Sequence, residues 1–452
     1  MAGQNKPDEE EKLGPASPDP TGVSGASPIE PFSPVKPRER VELLDVLRGL
    51  AILGILFVNY DVAKLNTPVV FPAALDRFGH NLVYVLGSGK LWPLFAILFG
   101  TGFAIQLERA EARGINIIPT YLRRLFFMVV IGGVLGLVIN VIQLLLLAKA
   151  GVVMLFIGYA LRRRPAKWLL VIAIFALTLG PSIGTLRDLR SDPGTPGTPQ
   201  VSAEEVAARV EEIRAGYKSD AEEALSWKPN RFRQYFSAVS RYYRDYPQSF
   251  LRVWTYAHYV GYMLLGMFLW QIGVLKKPAD HRRSFLRLFS WSMPLGLVTA
   301  IVANHLSQTS YLARMGLSTD PNPVLQLLPI NEVASLAMPL TYIAGIALLL
   351  QHDLWSRVLR VFAPAGRMAL TNYALQRLLP TLVFGLYTPG ISQMALGVWL
   401  TIAVLALIAG LQLMFSRLWI RSYRFGPLEW LWRSLTYWRF QPMRVKTSEP
   451  TA

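Results

Sequence analysis

Asp45, Arg48 and Asn59 are the first residues of this chain whose types and spacing could do chemistry within an otherwise apolar stretch. Arg48 and Asn59 stand eleven residues apart, three helical turns or roughly 16 Å along an α-helical axis. Asp45 lies one turn before Arg48 on the same side, and Ile52 and Ile55 continue the stripe between the polar ends. Polar and charged groups inside lipid are costly, so each needs a reason. Two are open here. One is an interfacial Asp–Arg pair with a packing Asn. The other is a substrate-lined groove running into a bundle, charged at one end and polar at the other.

A second set of polar residues falls near the ends of apolar segments: His80, His258 and His305, with Asn59, Asp61, Asn304 and Glu332. Imidazoles beside carboxylates and amides are the usual material of proton transfer. His281 and His352 fall in short polar connections and read as solvated. Asn372 and Gln376 are one turn apart and face together, either bonding neighbouring helices or lining a cavity. Other chemistries are excluded or unsupported. With no cysteine there is no disulfide framework, thiolate metal site or cysteine nucleophile. No metal ligand set is expected, and Gly87-Ser-Gly-Lys90 is only the tail of a phosphate-loop pattern with no strand before it.

These residues must be positioned by membrane helices. The chain has 452 residues, of which 52% are hydrophobic and 17% charged; soluble domains carry about 25% charged residues. Ten apolar segments, at about 43–60, 91–108, 122–140, 143–161, 167–184, 251–274, 284–304, 331–350, 368–388 and 394–416, each approach the roughly 20 residues that cross a bilayer. Ten passes put both termini on one side. With that side cytoplasmic, the short inside segments hold 27 Lys and Arg against 5 in the short outside ones, as the positive-inside rule requires. That bias absorbs much of the net charge of +17 without a nucleic-acid partner.

The sequence therefore predicts an all-α polytopic membrane bundle of about ten helices. Residues 1–37 form a Pro- and Ser-rich disordered cytoplasmic tail, 38–184 and 251–416 two five-helix membrane segments, 185–250 an extracytoplasmic segment, and 417–452 a basic tail. The tail's tryptophans, with its arginines, predict an interfacial helix on anionic lipid.

The stretch from Arg40 through Asp45, Arg48 and Gly49 to Asn59 resembles the opening helix of the YeiB-like bacterial membrane protein family, the domain of unknown function 418. Gly89-Lys90-Leu-Trp-Pro through Gly100 resembles that family's second helix. Pro364-Ala-Gly366-Arg367 through Thr371-Asn372-Tyr373 and Gln376 resembles its C-terminal signature, and Phe425-Gly426-Pro427-Leu428-Glu429-Trp430 its closing motif. The family that these motifs resemble implies a bacterial inner membrane. It in turn resembles the transmembrane acyltransferases that share an Asp-x-x-Arg-Gly opening.

That resemblance implies transfer of an acyl group, acetyl above all, from cytoplasmic acyl-coenzyme A to a sugar or small-molecule acceptor at the outer face, with no tightly bound cofactor. His80, Asn59 and Asp61 would form the reaction centre: His80 as base, Asp61 orienting it, and the Asn59 amide or Lys90 stabilising an oxyanion. Arg48 and Arg367 would grip the donor's phosphates bidentately, although positive-inside anchoring accounts for them equally. Asp45, Lys90, His258, His305, Glu332, Asn372 and Gln376 complete the polar cavity candidates.

Two departures from the family pattern stand out. Asn140 takes the place of a third-helix His, and no acid follows near Lys149. A transporter of a small metabolite and a non-catalytic membrane partner are the alternatives.

Overall fold

A computed structural model describes residues 41–59, 74–139, 143–178, isolated positions between 204 and 215, 254–314, 330–383 and 398–445. Asp61, Asn140, the 1–37 tail and nearly all of the 185–250 segment lie outside these residues.

The described chain is helical. In order it runs α1 (Glu42–Asn59), α2 (Ala74–Leu86), α3 (Leu91–Glu111), α4 (Ile118–Ile139) and α5 (Gln143–Leu161). Next come α6 (Lys167–Thr178), then α7 (Trp254–Gln271), α8 (Arg282–Arg314) and α9 (Ile330–Leu349). The short α10 (Asp353–Leu359) and α11 (Ala363–Arg367) lead into α12 (Ala369–Val383), α13 (Val398–Ser422) and α14 (Pro427–Tyr437). Each of the ten apolar segments overlaps one of these helices. Five stretches are long and apolar enough to cross a membrane by length and composition: Ala74–Glu111, Ile118–Gly136, Pro278–Gln308, Ile330–Leu349 and Val398–Ser422.

The surface is that of a protein in lipid. On α13, Leu407, Leu411, Met414 and Leu418 are all exposed at helical spacing, and α6 exposes Val171, Ile174 and Phe175. A stripe of this kind is stable only against an apolar medium.

α1 is the hub of the bundle. Twelve of its eighteen residues are buried, as expected of a helix that is apolar all round. It packs against α2, α3, α9, α11, α12 and α13. Two glycines set the closest of these contacts. A Cβ on Gly49 would collide with the Phe362 carbonyl, and one on Gly366 with the Asp45 carbonyl. The backbones of α1 and α11 thus touch, and the opening and C-terminal motifs share one crossing. Gly100 and Gly266 do the same for α3 and α7, against the carbonyls of Met263 and Ile97. Thr101 hydroxyl adds a bond across that crossing to the Gly266 carbonyl at 3.2 Å.

Two elements differ from the sequence expectation. The connection between the first two membrane segments contains α2, which doubles back on α1: a Cβ on Gly87 would meet Val58 Cγ2 at 2.7 Å. Its turn into α3 passes through Gly89 at φ +73°, a conformation that favours glycine. α2 is amphipathic rather than uniformly apolar, so a hydropathy window passes over it. The second difference is α14, which docks under α4 and α12 instead of only lying on lipid. The Trp432 indole donates to the Arg124 carbonyl at 2.9 Å and Trp430 to the Gln441 carbonyl at 2.8 Å. Trp438 and Phe440 remain exposed.

Candidate functional site

At the first end of α1, Arg48 Nη1 donates to Asp45 Oδ1 at 3.2 Å, the one-turn pair read from the sequence. The other guanidinium nitrogen of Arg48 lies over α3, 3.6 Å from where a Cβ on Gly102 would stand. Arg124 of α4 is within electrostatic reach of Arg48, and its guanidinium sits 4.3 Å from the Trp432 ring. Arg367 follows Gly366 directly, at the α1–α11 crossing. This end is therefore a basic locus built by α1, α3, α4 and α11. Arg124 was legible only as one of many inside charges. Its place is set by α14, which packs under α4 and holds the Trp432 ring against the Arg124 guanidinium.

At the other end of α1, Asn59 is buried, and its Nδ2 has no hydrogen-bond partner among the described residues. α2 lies beside it. His80 is buried there, one turn from Val83, which packs into the cluster of Leu56, Val398, Leu405 and Ile408. The neighbouring Asn81 accepts bonds from Asn304 at 3.0 Å and Gln308 at 2.7 Å. That trio fixes α2 against α8, and sequence reading missed Asn81 and Gln308 because surface-like Asn and Gln carry no periodicity. Lys90 is fully buried at the α2–α3 turn. Its ammonium donates to the Tyr84 carbonyl at 3.1 Å and lies 4.8 Å from the Tyr84 ring centroid.

The remaining candidates separate. His305 is exposed on α8, turned away from the bundle although Asn304 beside it is buried; adjacent helical positions point about 100° apart. His258 stacks on Tyr259 at 4.2 Å in the first turns of α7. Glu332 stands in the first turn of α9, within electrostatic reach of Tyr262.

Asn372 and Gln376 bond neighbouring helices. Asn372 Nδ2 donates to the Ala365 carbonyl and to Ser416 Oγ, at 3.2 and 2.9 Å. Gln376 Nε2 donates to the Ile52 carbonyl of α1 at 2.9 Å and to Gln412 Oε1 at 3.1 Å. Gln412 returns a bond to the Asn372 carbonyl. In a medium with no water such bonds hold helices together.

The closing motif has a similar task. The buried Glu429 carboxylate accepts from the backbone N–H groups of Leu370 and Thr371 at 2.6 and 3.0 Å, and from the Thr371 hydroxyl at 2.6 Å. It caps the start of α12 from 58 residues away in sequence, satisfying donors that every helix leaves open. Gly426 makes room: a Cβ there would collide with Glu429 Oε2. No group of three or more His, Cys, Asp and Glu able to hold a metal occurs among the described residues.

Residues 269–439 match the family model described as "Protein of unknown function (DUF418)". The "Uncharacterized protein YxaH" of Bacillus subtilis (strain 168) is 29% identical over 424 residues, covering 89% of this chain and 95% of that protein. The "Uncharacterized protein YeiB" of Escherichia coli (strain K12) is 29% identical over 428 residues, covering 89% and 97%. A third relative, the "Uncharacterized 39.9 kDa protein in amylase 3'region" of Bacillus acidopullulyticus, is 24% identical over 409 residues, covering 88% and 94%. No solved structure matches the chain.

Proposed function

We propose, for a chain similar to the YeiB-like DUF418 family, that it is a membrane acyltransferase taking its donor from the cytoplasm as acyl-coenzyme A. The observation that supports this reading is the basic end of the central helix, where Arg48 lies over α3 and Arg124 of α4 is within electrostatic reach of it. Like charges brought together in a partly buried site repel, and an anion shared by both relieves that repulsion. Guanidinium matches phosphate bidentately, so a polyphosphate such as the coenzyme A diphosphate suits this end. Arg367 enters at the same crossing. Asp45 keeps Arg48 extended toward α3.

The opposite end of the same helix offers what the acceptor needs. Asn59 has an amide free to donate, and α2, which packs on this end through Gly87 and Val83, buries His80. In this reading His80 takes the proton from the acceptor's hydroxyl or amine as that atom attacks the thioester carbonyl. Asn59 donates to the developing oxyanion. The thiolate leaves as coenzyme A toward the cytoplasm. Asn372 and Gln376 serve as ties that hold α1, α12 and α13 in register.

The test is thermal unfolding of the detergent-purified protein with and without acetyl-coenzyme A, repeated on Arg48→Ala. A ligand bound by the folded state alone raises stability by mass action. The reading expects a rise in the wild type that Arg48→Ala removes. No rise with any of several acyl-coenzyme A species at millimolar concentration overturns it.

A further inference from the structure

A second cleft lies away from this site, where α3, α5 and α7 end. Its volume is about 300 Å³. Its polar wall alternates in sign. Lys276 Nζ meets Glu108 Oε1 at 2.7 Å, and Arg162 Nε meets Glu111 Oε1 at 3.3 Å. The Trp270 indole donates to the second Glu108 oxygen at 2.7 Å, and Lys276 sits 5.3 Å from the Trp270 ring centroid. The floor is apolar, formed by Leu107 and Met267 among others.

Three features define what this cleft suits. Two acids and two bases make it neutral overall, so a polyphosphate gains nothing there that the Arg48 locus does not offer better. The charges are partly exposed, Lys276 at 36% and Glu111 at 45% of the side chain, and each base meets an acid, with Arg162 also donating to the Tyr159 carbonyl at 2.6 Å. A ligand carrying one charge of each sign can therefore insert between the pairs without leaving an ion unmatched. Depth is the third feature. Ala166 lines the cleft and leads straight into α6, whose Trp168 is exposed beside the apolar residues Val171 and Phe175. Tryptophan at the end of an apolar helix marks the headgroup layer.

We infer that this cleft holds the headgroup of an aminophospholipid, with the phosphate on Arg162 and Lys276, the ammonium on Glu108 and Glu111, and the first acyl carbons on the Leu107–Met267 floor. The primary ammonium can donate hydrogen bonds to both carboxylates, which a glycerol headgroup cannot match in charge. The acyl chains then run down the lipid-facing side of α6.

The full-length protein, delipidated in detergent, tests this by thermal unfolding with short-chain phosphatidylethanolamine, short-chain phosphatidylglycerol, and free phosphoethanolamine at equal concentrations. The expected result is a rise in Tm of about 2 °C or more for phosphatidylethanolamine, a smaller one for phosphatidylglycerol, and none for free phosphoethanolamine. Glu111→Gln, at an exposed position that tolerates substitution, brings the phosphatidylethanolamine response down to that of phosphatidylglycerol. Mass spectrometry of the wild type before delipidation provides an independent readout, in which phosphatidylethanolamine is enriched over its share of the membrane. Equal responses to the two lipids overturn the inference, as does a preference that survives in Glu111→Gln. An equal response to free phosphoethanolamine assigns the cleft to a soluble zwitterion and overturns the lipid assignment.

Discussion

Glu429 and Thr371 are joined twice, through the Thr371 backbone N–H at 3.0 Å and its hydroxyl at 2.6 Å. One carboxylate thereby fastens α14 to the first turn of α12, the helix whose Asn372 and Gln376 tie the bundle to α1. Glu429→Ala leaves the Leu370 and Thr371 N–H groups buried and open, at a cost of about 1–3 kcal/mol. Glu429→Gln keeps the acceptor oxygen and costs less. Chemical or thermal unfolding of the two variants in one detergent gives the comparison, and equal losses would remove the capping role.

The same residue makes stability depend on pH. Burial pushes the Glu429 carboxyl above its ordinary value near 4.5, and the bonds from Thr371 and Leu370 oppose that rise without cancelling it. The folded state therefore holds the proton more tightly than the unfolded one. The resulting stabilisation is complete below the ordinary carboxyl value and is lost as pH rises through the raised one. Melting curves of wild type and Glu429→Gln should converge at high pH less well than at low pH. A difference that does not vary with pH would contradict this assignment.

Gly49 and Gly366 form a contact that no other residue type can make. Gly49→Ala or Gly366→Ala forces a Cβ into a carbonyl of the facing helix and should lower Tm well beyond Gly133→Ala. At Gly133 an added Cβ meets nothing within 4 Å, and helix propensity favours alanine by about 1 kcal/mol. Tm values for the three variants decide it; parity among them would mean that α1 and α11 part without cost.

Gln376 donates to the Gln412 side-chain oxygen inside the bundle. Gln376→Leu strands Gln412 and costs about 1–3 kcal/mol. Adding Gln412→Leu should recover part of the loss, because the pair is then apolar on both sides. A double variant as damaged as the sum of the singles would show that the two residues act independently.

His80 and Arg48 should fail in different ways. Under the proposed mechanism His80→Gln lowers acyl transfer by about 100-fold or more yet keeps the Tm rise with acetyl-coenzyme A. Arg48→Ala loses both. Turnover and ligand-induced stabilisation measured on the same preparations separate the two roles, and a His80→Gln variant with full turnover would remove this base.

The locus at Arg48 was half legible in the sequence. Asp45 and Arg48 pair as their one-turn spacing required, since local geometry in a helix fixes which side chains meet three residues apart. Arg124 was not legible there, because its place depends on α14 packing under α4 with Trp432 against its guanidinium. His305 shows the opposite limit. It belonged to a polar layer by sequence position, but the rotation of α8 turns it outward.

Sequence by itself determined that this chain is a set of apolar helices built for lipid, and which short motifs resemble those of the YeiB-like family. Hydropathy, helical period and local spacing are properties of contiguous residues, and they survive without knowledge of partners. Tertiary structure decided what those motifs are for. Gly49 meets Gly366, Glu429 caps α12, Gln376 reaches the Ile52 carbonyl, and α2 returns Gly87 to Val58 of α1. Each of these joins residues far apart in the chain. A polar side chain can be satisfied by any donor or acceptor, and a glycine by any close backbone, so only the crossing of packed helices selects which one it finds.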